Sequence, residues 1–294
     1  MSWLIALFYI AIMLSLLSTR RQAAWRRRLG LRPALIFLAV LALGAVFLAV
    51  LAIEKALKAA FAVLLLAYLL TPTALIYGRR QSGRRLDWRD LGAVLLLWLP
   101  VEFTLGKSLL PAHVHGVANE AAQGTATVTA LLLLVVFRAW PDHKYCWPRR
   151  SRDFLNALAG FAVLAVPLGV LGRLLGFLGP FGPRPGASPL GFLRLFVITL
   201  LGVAIPEELL FRSLIQTWLL KRLGDSWRGL VAAAVVFGAA HLDNGPGPLP
   251  NWSYMILATM AGFGYGVVFQ RSSSVLASAS LHALVNTVRH TFFG

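Results

Sequence analysis

The chain is divided into ten long apolar runs by short polar segments rich in arginine. The runs cover roughly residues 3–17, 33–53, 56–77, 91–110, 125–140, 154–178, 190–220, 229–242, 253–270 and 275–288. In a bilayer every backbone N–H and C=O must be satisfied within the protein, so a spanning run of this kind folds as a helix. About 20 residues carry a helix across the hydrocarbon. The pattern therefore predicts an all-α, polytopic transmembrane helix bundle of about ten spans. Eight to ten is the working range, because several runs are short and 190–220 is too long for an upright crossing. Apolar residues make up 58% of the chain and charged residues 13%, against about 25% charged in soluble domains. A soluble enzyme, a secreted disulfide scaffold and a disordered tail are all excluded.

The net charge of +17 raises the question of nucleic acid, and its distribution answers it. The basic residues are clumped between apolar runs, which is a topology signal and not a nucleic-acid footprint. If the segment after the first run is cytoplasmic, the cytoplasmic side holds Arg20, Arg21, Arg26, Arg27, Arg28 and Arg32. It then takes Arg79, Arg80, Arg84, Arg85 and Arg89, followed by Arg138, Lys144, Arg149, Arg150 and Arg152. Lys221, Arg222, Arg228 and Arg271 complete the set. That alternation predicts both termini outside the cytoplasm. Charges follow the first run instead of preceding it, so it reads as a retained anchor and not a cleaved signal. A Gly/Pro-rich stretch at 179–189 separates an N-terminal membrane region of about six spans (1–178), to which no role is assigned, from a C-terminal one of about four (190–294). The single cysteine, Cys146, cannot form an internal disulfide and reads as an inert loop thiol.

An ionisable group inside a span is costly and is a functional candidate by default. Asp87, Asp90, Asp142, Asp153 and Asp225 fall in basic segments, where neighbouring arginines would pair them. Glu54, Glu120 and Asp243 fall at or beyond run ends. Glu102, Glu207 and Glu208 remain inside apolar sequence. Glu102 marks either a second polar site or a carboxylate satisfied by its surroundings. Glu207 and Glu208 lie in the seventh run, just after Pro206, which removes a helix hydrogen bond and predicts a kink. Arg212 is four residues beyond Glu208 and shares its helical face. Glu207 is turned about 100° away, and so is left to face something else.

Two further polar pairs have i,i+4 spacing, Phe237 with His241 and His282 with Asn286. Counted from the cytoplasmic ends, Glu207, His241 and Asn286 all lie roughly 18–20 Å along their helices, at 1.5 Å per residue, with His282 one turn nearer the cytoplasm. Four polar groups on three spans thus share one slab of the membrane. Taken singly, each has a plainer reading as an ion-pair lock, a helix-end histidine or interhelical glue; their convergence favours a site. His113 and His115 have the spacing of a metal-binding pair but no acid or cysteine nearby, and read as solvated. Tryptophans near run ends, among them Trp88, Trp140, Trp147, Trp227 and Trp252, read as an interfacial belt.

Glu-Glu-x-x-x-Arg at 207–212, Phe-x-x-x-His at 237–241 and His-x-x-x-Asn at 282–286, in that order, resemble the CPBP family of glutamic intramembrane proteases. That family includes the CAAX prenyl endopeptidase and bacterial members tied to bacteriocin processing and immunity. The resemblance covers about 190–290. It implies a catalytic set of Glu207, which activates water with His241, and His282 and Asn286, which stabilise the oxyanion. Glu208 and Arg212 would be a supporting ion pair, and Phe237 would pack against the site. No cofactor is favoured. Were the enzyme metal-dependent, Glu207, His241 and His282 would be the ligands of a divalent ion such as Zn. The expected partners are a peptide or protein substrate reached in the membrane, and the bilayer. The expected location is a bacterial inner membrane. The alternatives are a non-proteolytic immunity factor or scaffold of the same family, and a proton-coupled transporter using Glu207 and His241 as a relay.

Overall fold

In a computed structural model, residues 2–79, 86–104, 106–224, 227–245 and 248–293 are described. Arg80, Arg84, Arg85 and Asp225, which entered the charge pattern, lie outside the described residues. Among the described residues the only strand-like feature is a single bridge between Phe181 and Phe293. Helices form at all ten predicted places. In chain order they are α1 (Ser2–Leu16), α2 (Thr19–Leu31), α3 (Leu35–Ile53), α4 (Ala59–Tyr77) and α5 (Trp88–Glu102). There follow α6 (Ala112–Phe137), α7 (Arg152–Leu174), α8 (Pro189–Leu223), α9 (Trp227–Ala239), α10 (Trp252–Arg271) and α11 (Val275–Phe292).

Six of these are long and apolar enough to cross a membrane, α3, α4, α6, α7, α8 and α10, or seven if the bent pair α1–α2 counts as one span. The number is below the ten of the sequence reading for a simple reason. Helix α5 has 15 residues and α9 has 13, about 20–22 Å of rise, and α11 carries Ser, His, Asn and Thr along its length. The residues 19–31, read above as a basic segment between spans, form a helix that leaves α1 at 91°, its first turn capped by Ser18.

The chain divides into two compact units, Met1–Pro141 and Asp142–Gly294. The division falls ahead of the Gly/Pro-rich stretch at 179–189, so α7 packs within the second unit.

In the first unit α1 meets α6 where Tyr9 Oη and Thr125 Oγ1 hydrogen-bond at 2.6 Å, and the ring sits so close to Gly124 that no Cβ would fit there. The last seven residues of α6, Leu131–Phe137, are π-helical, and Arg26 donates to the Val135 carbonyl among them at 2.8 Å. Arg138, counted above as a topology charge, is instead buried and donates to Asp90 through Nε and Nη2 at 2.8 and 3.2 Å. Asp90 sits in the first turn of α5, within a capping box with Asp87. Trp140 is fully buried and so is no part of an aromatic belt. Trp88, Trp147, Trp227 and Trp252 are exposed.

In the second unit α7 is tied to the α10–α11 turn. Asp153 accepts from Ser273 N at 2.8 Å and from the Ser273 hydroxyl. Asn156 donates to the Arg271 carbonyl and the Ser272 hydroxyl at 3.2 and 3.0 Å. Cys146 is buried beside the same turn, its thiol on the Ser273 carbonyl at 3.4 Å. Burial in these surroundings pushes that thiol up from its ordinary range, which keeps it protonated and unreactive at neutral pH.

Helix α8 runs 35 residues without a break. Its ladder is π-helical at Leu200–Ala204 and again at Leu209–Gln216, on either side of the α-helical turn Ile205–Glu208. The widened turns accommodate Pro206, whose ring nitrogen has no hydrogen to donate. Such bulges occur often at functional sites, and this pair brackets the two glutamates.

Candidate active site

Glu207 and Glu208 occupy one turn of α8 but stand in different surroundings. Glu208 is completely buried, with Oε2 accepting from Arg212 Nε at 3.2 Å and Oε1 paired with His282 Nδ1 at 3.2 Å. The side chain of Glu207 is 31% exposed. Its Oε2 atom is shielded from solvent without a hydrogen-bond partner, and His282 Nε2 stands 3.9 Å from it across the bundle. A paired carboxylate beside an unpaired one is the division that the 100° turn between adjacent residues imposes.

His282 bridges the two. Its Nδ1 faces an ionised, arginine-paired carboxylate, which can only accept, so Nδ1 carries the hydrogen. Nε2 is then the ring atom turned towards Glu207. Tyr265 of α10 lies flat against the imidazole, with ring centroids 4.8 Å apart and planes at 18°. The imidazole is thereby fixed in position by a hydrogen bond at one edge and a stacked ring on one face.

His241 follows the end of α9, and its Nδ1 donates to the Phe237 carbonyl at 2.8 Å. That bond leaves Nε2 as the acceptor of the neutral ring. Phe237 stands at the centre of the cluster. Its ring is 4.7 Å from that of His241 and 5.8 Å from that of His282, and the Arg212 guanidinium lies 4.7 Å from its centroid. Arg212 Nη1 and Nη2 make no hydrogen bond, so the cation is held by Glu208 and by aromatic faces.

Small residues of α10 make this packing feasible. A Cβ on Gly262 would lie 2.8 Å from Phe237 Cδ1 and 3.4 Å from Arg212 Nη2. A turn later, Gly266 lets Gln216 approach, and Gln216 Nε2 donates to the Gly266 carbonyl at 3.2 Å. This is a Gly-x-x-x-Gly contact of the kind that draws membrane helices together. The motif stands in the sequence and is the signal by which Gly262 could have been found. Tyr254 and Tyr265 had no such signal.

A cavity of about 330 Å³ opens onto the cluster, within the range of about 300–1,000 Å³ for ligand sites. Glu207, Phe237, His241, His282 and Asn286 all line it, while Glu208 and Arg212 stand behind. The structure thus brings together all the residues that the sequence singled out in this half of the chain. The other candidates lie elsewhere. Glu102 accepts from Trp98 Nε1 at 2.8 Å, one turn back on its own helix. His115 is bonded to the Leu110 carbonyl at 3.1 Å, which removes it from any pair with His113. Among the described residues no three His, Cys, Asp or Glu side chains converge as metal ligands. In particular His282 turns Nδ1 to Glu208, and His241 has Nδ1 on a carbonyl.

Residues 189–288, which run from the start of α8 almost to the end of α11, match the family model of the type II CAAX prenyl endopeptidases, Rce1-like. That model corresponds to the CPBP family, which the motifs at 207–212, 237–241 and 282–286 resemble. The match spans α8 to α11 and leaves out α7 and the whole first unit. No curated protein and no solved structure matches the chain. The matched model is one of endopeptidases, and the apolar helices make this chain an integral membrane protein.

Proposed function

We propose that the chain is an intramembrane endopeptidase of the glutamic type, with Glu207 as general base. Water would sit in the cavity between Glu207 and the Nε2 lone pair of His241. As the water oxygen attacks the peptide carbonyl, Glu207 takes its proton. His282 Nε2, as the imidazolium backed by Glu208, and the Asn286 amide would donate to the oxyanion, where preorganised donors lower the barrier most. Collapse of the tetrahedral intermediate breaks the C–N bond, and the proton held by Glu207 passes to the leaving amine. Glu208 and Arg212 would touch no substrate and would set the ring of His282. In this reading the chemistry needs no metal, and the protease core is 190–294 with α7 supplying one wall.

The observation that carries the proposal is the unpartnered Oε2 of Glu207 in a cavity also lined by His241, His282 and Asn286, within the matched segment. We place the protein in a bacterial inner membrane, both termini outside, with a peptide or protein tail as substrate. The test compares membrane and secreted proteomes of cells carrying wild type and Glu207→Gln at equal abundance. One or a few proteins should persist uncleaved in the variant, and their termini would name the substrate. Identical proteomes, with the phenotype of the gene intact, would instead support a non-catalytic immunity factor or scaffold.

A further inference from the structure

The first unit lies outside the matched segment, and it holds a cavity of its own. About 370 Å³ of space lies among α3, α4, α5 and α6, within the range of about 300–1,000 Å³ for ligand sites. Its walls include Phe47 of α3, Phe61, Leu65 and Tyr68 of α4, Val101 of α5 and Ala122 of α6. Phe47 stands late in α3 and Phe61 early in α4, while Val101 is at the end of α5 and His115 at the start of α6. The cavity therefore belongs to the end of the unit that carries the turns at 54–58 and 103–114. Arg79, Arg89 and Arg138 are at the opposite helix ends. Along α6 the lining runs from His115 at the mouth to Thr125 at the floor, about 15 Å of rise. That is half of a hydrocarbon core about 30 Å thick, the depth of one leaflet.

Polarity is graded along that depth. At the floor the Thr125 hydroxyl is hydrogen-bonded to Tyr9 Oη at 2.6 Å, and higher up Tyr68 Oη donates to the Leu97 carbonyl at 2.7 Å. The polar side chains of the lower part are thus engaged within the protein, and the surface left to a ligand there is hydrocarbon. The mouth is different. Lys107 and Asn119 are exposed, and neither the ammonium nor the amide meets a partner among the described residues. Lys107 is held at the rim by Gly106, whose left-handed φ of 85° turns the chain down onto α4. A Cβ at Gly106 would lie 2.8 Å from Leu64 Cδ2 and 3.2 Å from Phe61 Cε2, both in the cavity wall. A polar ligand would need open partners at depth; an apolar tail with an anionic head needs them only at the rim. Spread over about 15 Å, the volume is about 25 Å² in section, that of one extended hydrocarbon chain.

We propose that this cavity is a lipid site, taking one acyl chain of an anionic phospholipid and setting its phosphate on Lys107. Helices α3, α4 and α6 are long and apolar enough to cross the membrane, so the molecules that surround the cavity at that depth are lipids. The section admits one chain, and the second stays in the bilayer. The head is anionic because the cation at the rim has no carboxylate of its own. In the topology proposed above the lipid belongs to the outer leaflet. The site is independent of the proteolytic reading.

The test reconstitutes the full chain in phosphatidylcholine vesicles with a trace of phosphatidylglycerol carrying a diazirine near the end of one acyl chain. After irradiation, adducts are mapped by mass spectrometry. Val163 and Val166 of α7, 72% and 69% exposed, report contact with bulk lipid. Adducts should be several-fold denser on Phe47, Phe61 and Leu65 than on α7. Phosphatidylglycerol should label the cavity about five-fold better than phosphatidylcholine with the same chain, the effect of one lysine at a membrane surface. Lys107→Gln should erase that preference and keep the adducts. Ala122→Leu fills the cavity part-way down, and Gly116→Leu fills the mouth, where an added Cβ meets nothing within 4 Å. Both should remove the cavity adducts and leave those on α7. Adducts no denser in the cavity than on α7, or adducts that survive both fillings, overturn the site. Equal labelling by the two lipids in the wild type, or a preference that survives Lys107→Gln, overturns the contact with the phosphate. Cavity labelling by a free fatty acid bearing the same diazirine, with none by either phospholipid, overturns the phospholipid as occupant.

Discussion

Replacing Arg212 by methionine isolates the electrostatics of the site from its packing. Methionine approximates the length of arginine and keeps an apolar contact with Phe237, but it strands the Glu208 carboxylate. That carboxylate and the guanidinium are both fully buried, 3.2 Å apart. Removing one partner of a buried pair typically destabilises by about 3–5 kcal/mol, because the remaining charge stays buried without compensation. Loss of the guanidinium from the face of Phe237, 4.7 Å away, adds up to about 2 kcal/mol for a desolvated cation–π contact. Arg212→Met should therefore cost about 3–7 kcal/mol of stability in detergent micelles. The double variant Glu208→Gln/Arg212→Met removes both charges and should recover most of that loss. Activity should not return with it, because a neutral amide no longer backs the charge His282 needs to donate from Nε2 to the oxyanion. Unfolding by a denaturing detergent, followed by tryptophan fluorescence, measures the first effect, and cleavage of membrane-anchored peptides the second. The reasoning is refuted if Arg212→Met unfolds within about 1 kcal/mol of wild type, or if the double variant is no more stable than the single one.

Two further outcomes test the packing. Gly262→Ala places a methyl 2.8 Å from Phe237 Cδ1, and the ring it displaces packs 4.7 Å from that of His241. Cleavage should fall about a hundred-fold for a shift of about 1 Å at the chemistry, with a smaller loss of about 1–3 kcal/mol in stability; unchanged cleavage would mean that Phe237 does not position His241. In the first unit, Asp90→Ala leaves Arg138 buried without its carboxylate and should destabilise that unit by about 3–5 kcal/mol. Limited proteolysis should then cut within Met1–Pro141 at protease concentrations that leave the wild type intact, and equal resistance would show that the pair contributes little.

Helices at 3–17, 33–53 and their successors were legible because lipid leaves the backbone no other way to satisfy its hydrogen bonds. The pairs Glu208–Arg212 and Phe237–His241 were legible for a related reason, since i,i+4 residues share a face on any helix. The bond from His241 is to the Phe237 backbone carbonyl, however, and only the fold shows that the ring of His241 turns back to it. The Glu208–His282 contact joins residues 74 positions apart. Local spacing is silent about it, and the sequence reading placed His282 with Asn286 at the oxyanion without a partner behind it. Asp90 and Arg138 were read as charges of basic segments, because nothing in their neighbourhoods shows that they meet 48 residues apart in a dry interior. The segment at 19–31 was read through its arginines as a connection between spans, although it folds as a helix bent sharply from α1.

Sequence alone determined that this chain enters a membrane as helices, and which short motifs lie on which of them, because solvation and helical periodicity act within a single segment. Tertiary structure decided which of two adjacent glutamates is neutralised and which faces a cavity. It also set which ring nitrogen of two histidines meets a hydrogen-bond partner, and it put an arginine from the end of α11 beside that cavity. Each of those outcomes depends on the side chain that a different helix brings within about 3–5 Å. That proximity is a property of packing, and no stretch of residues carries it alone.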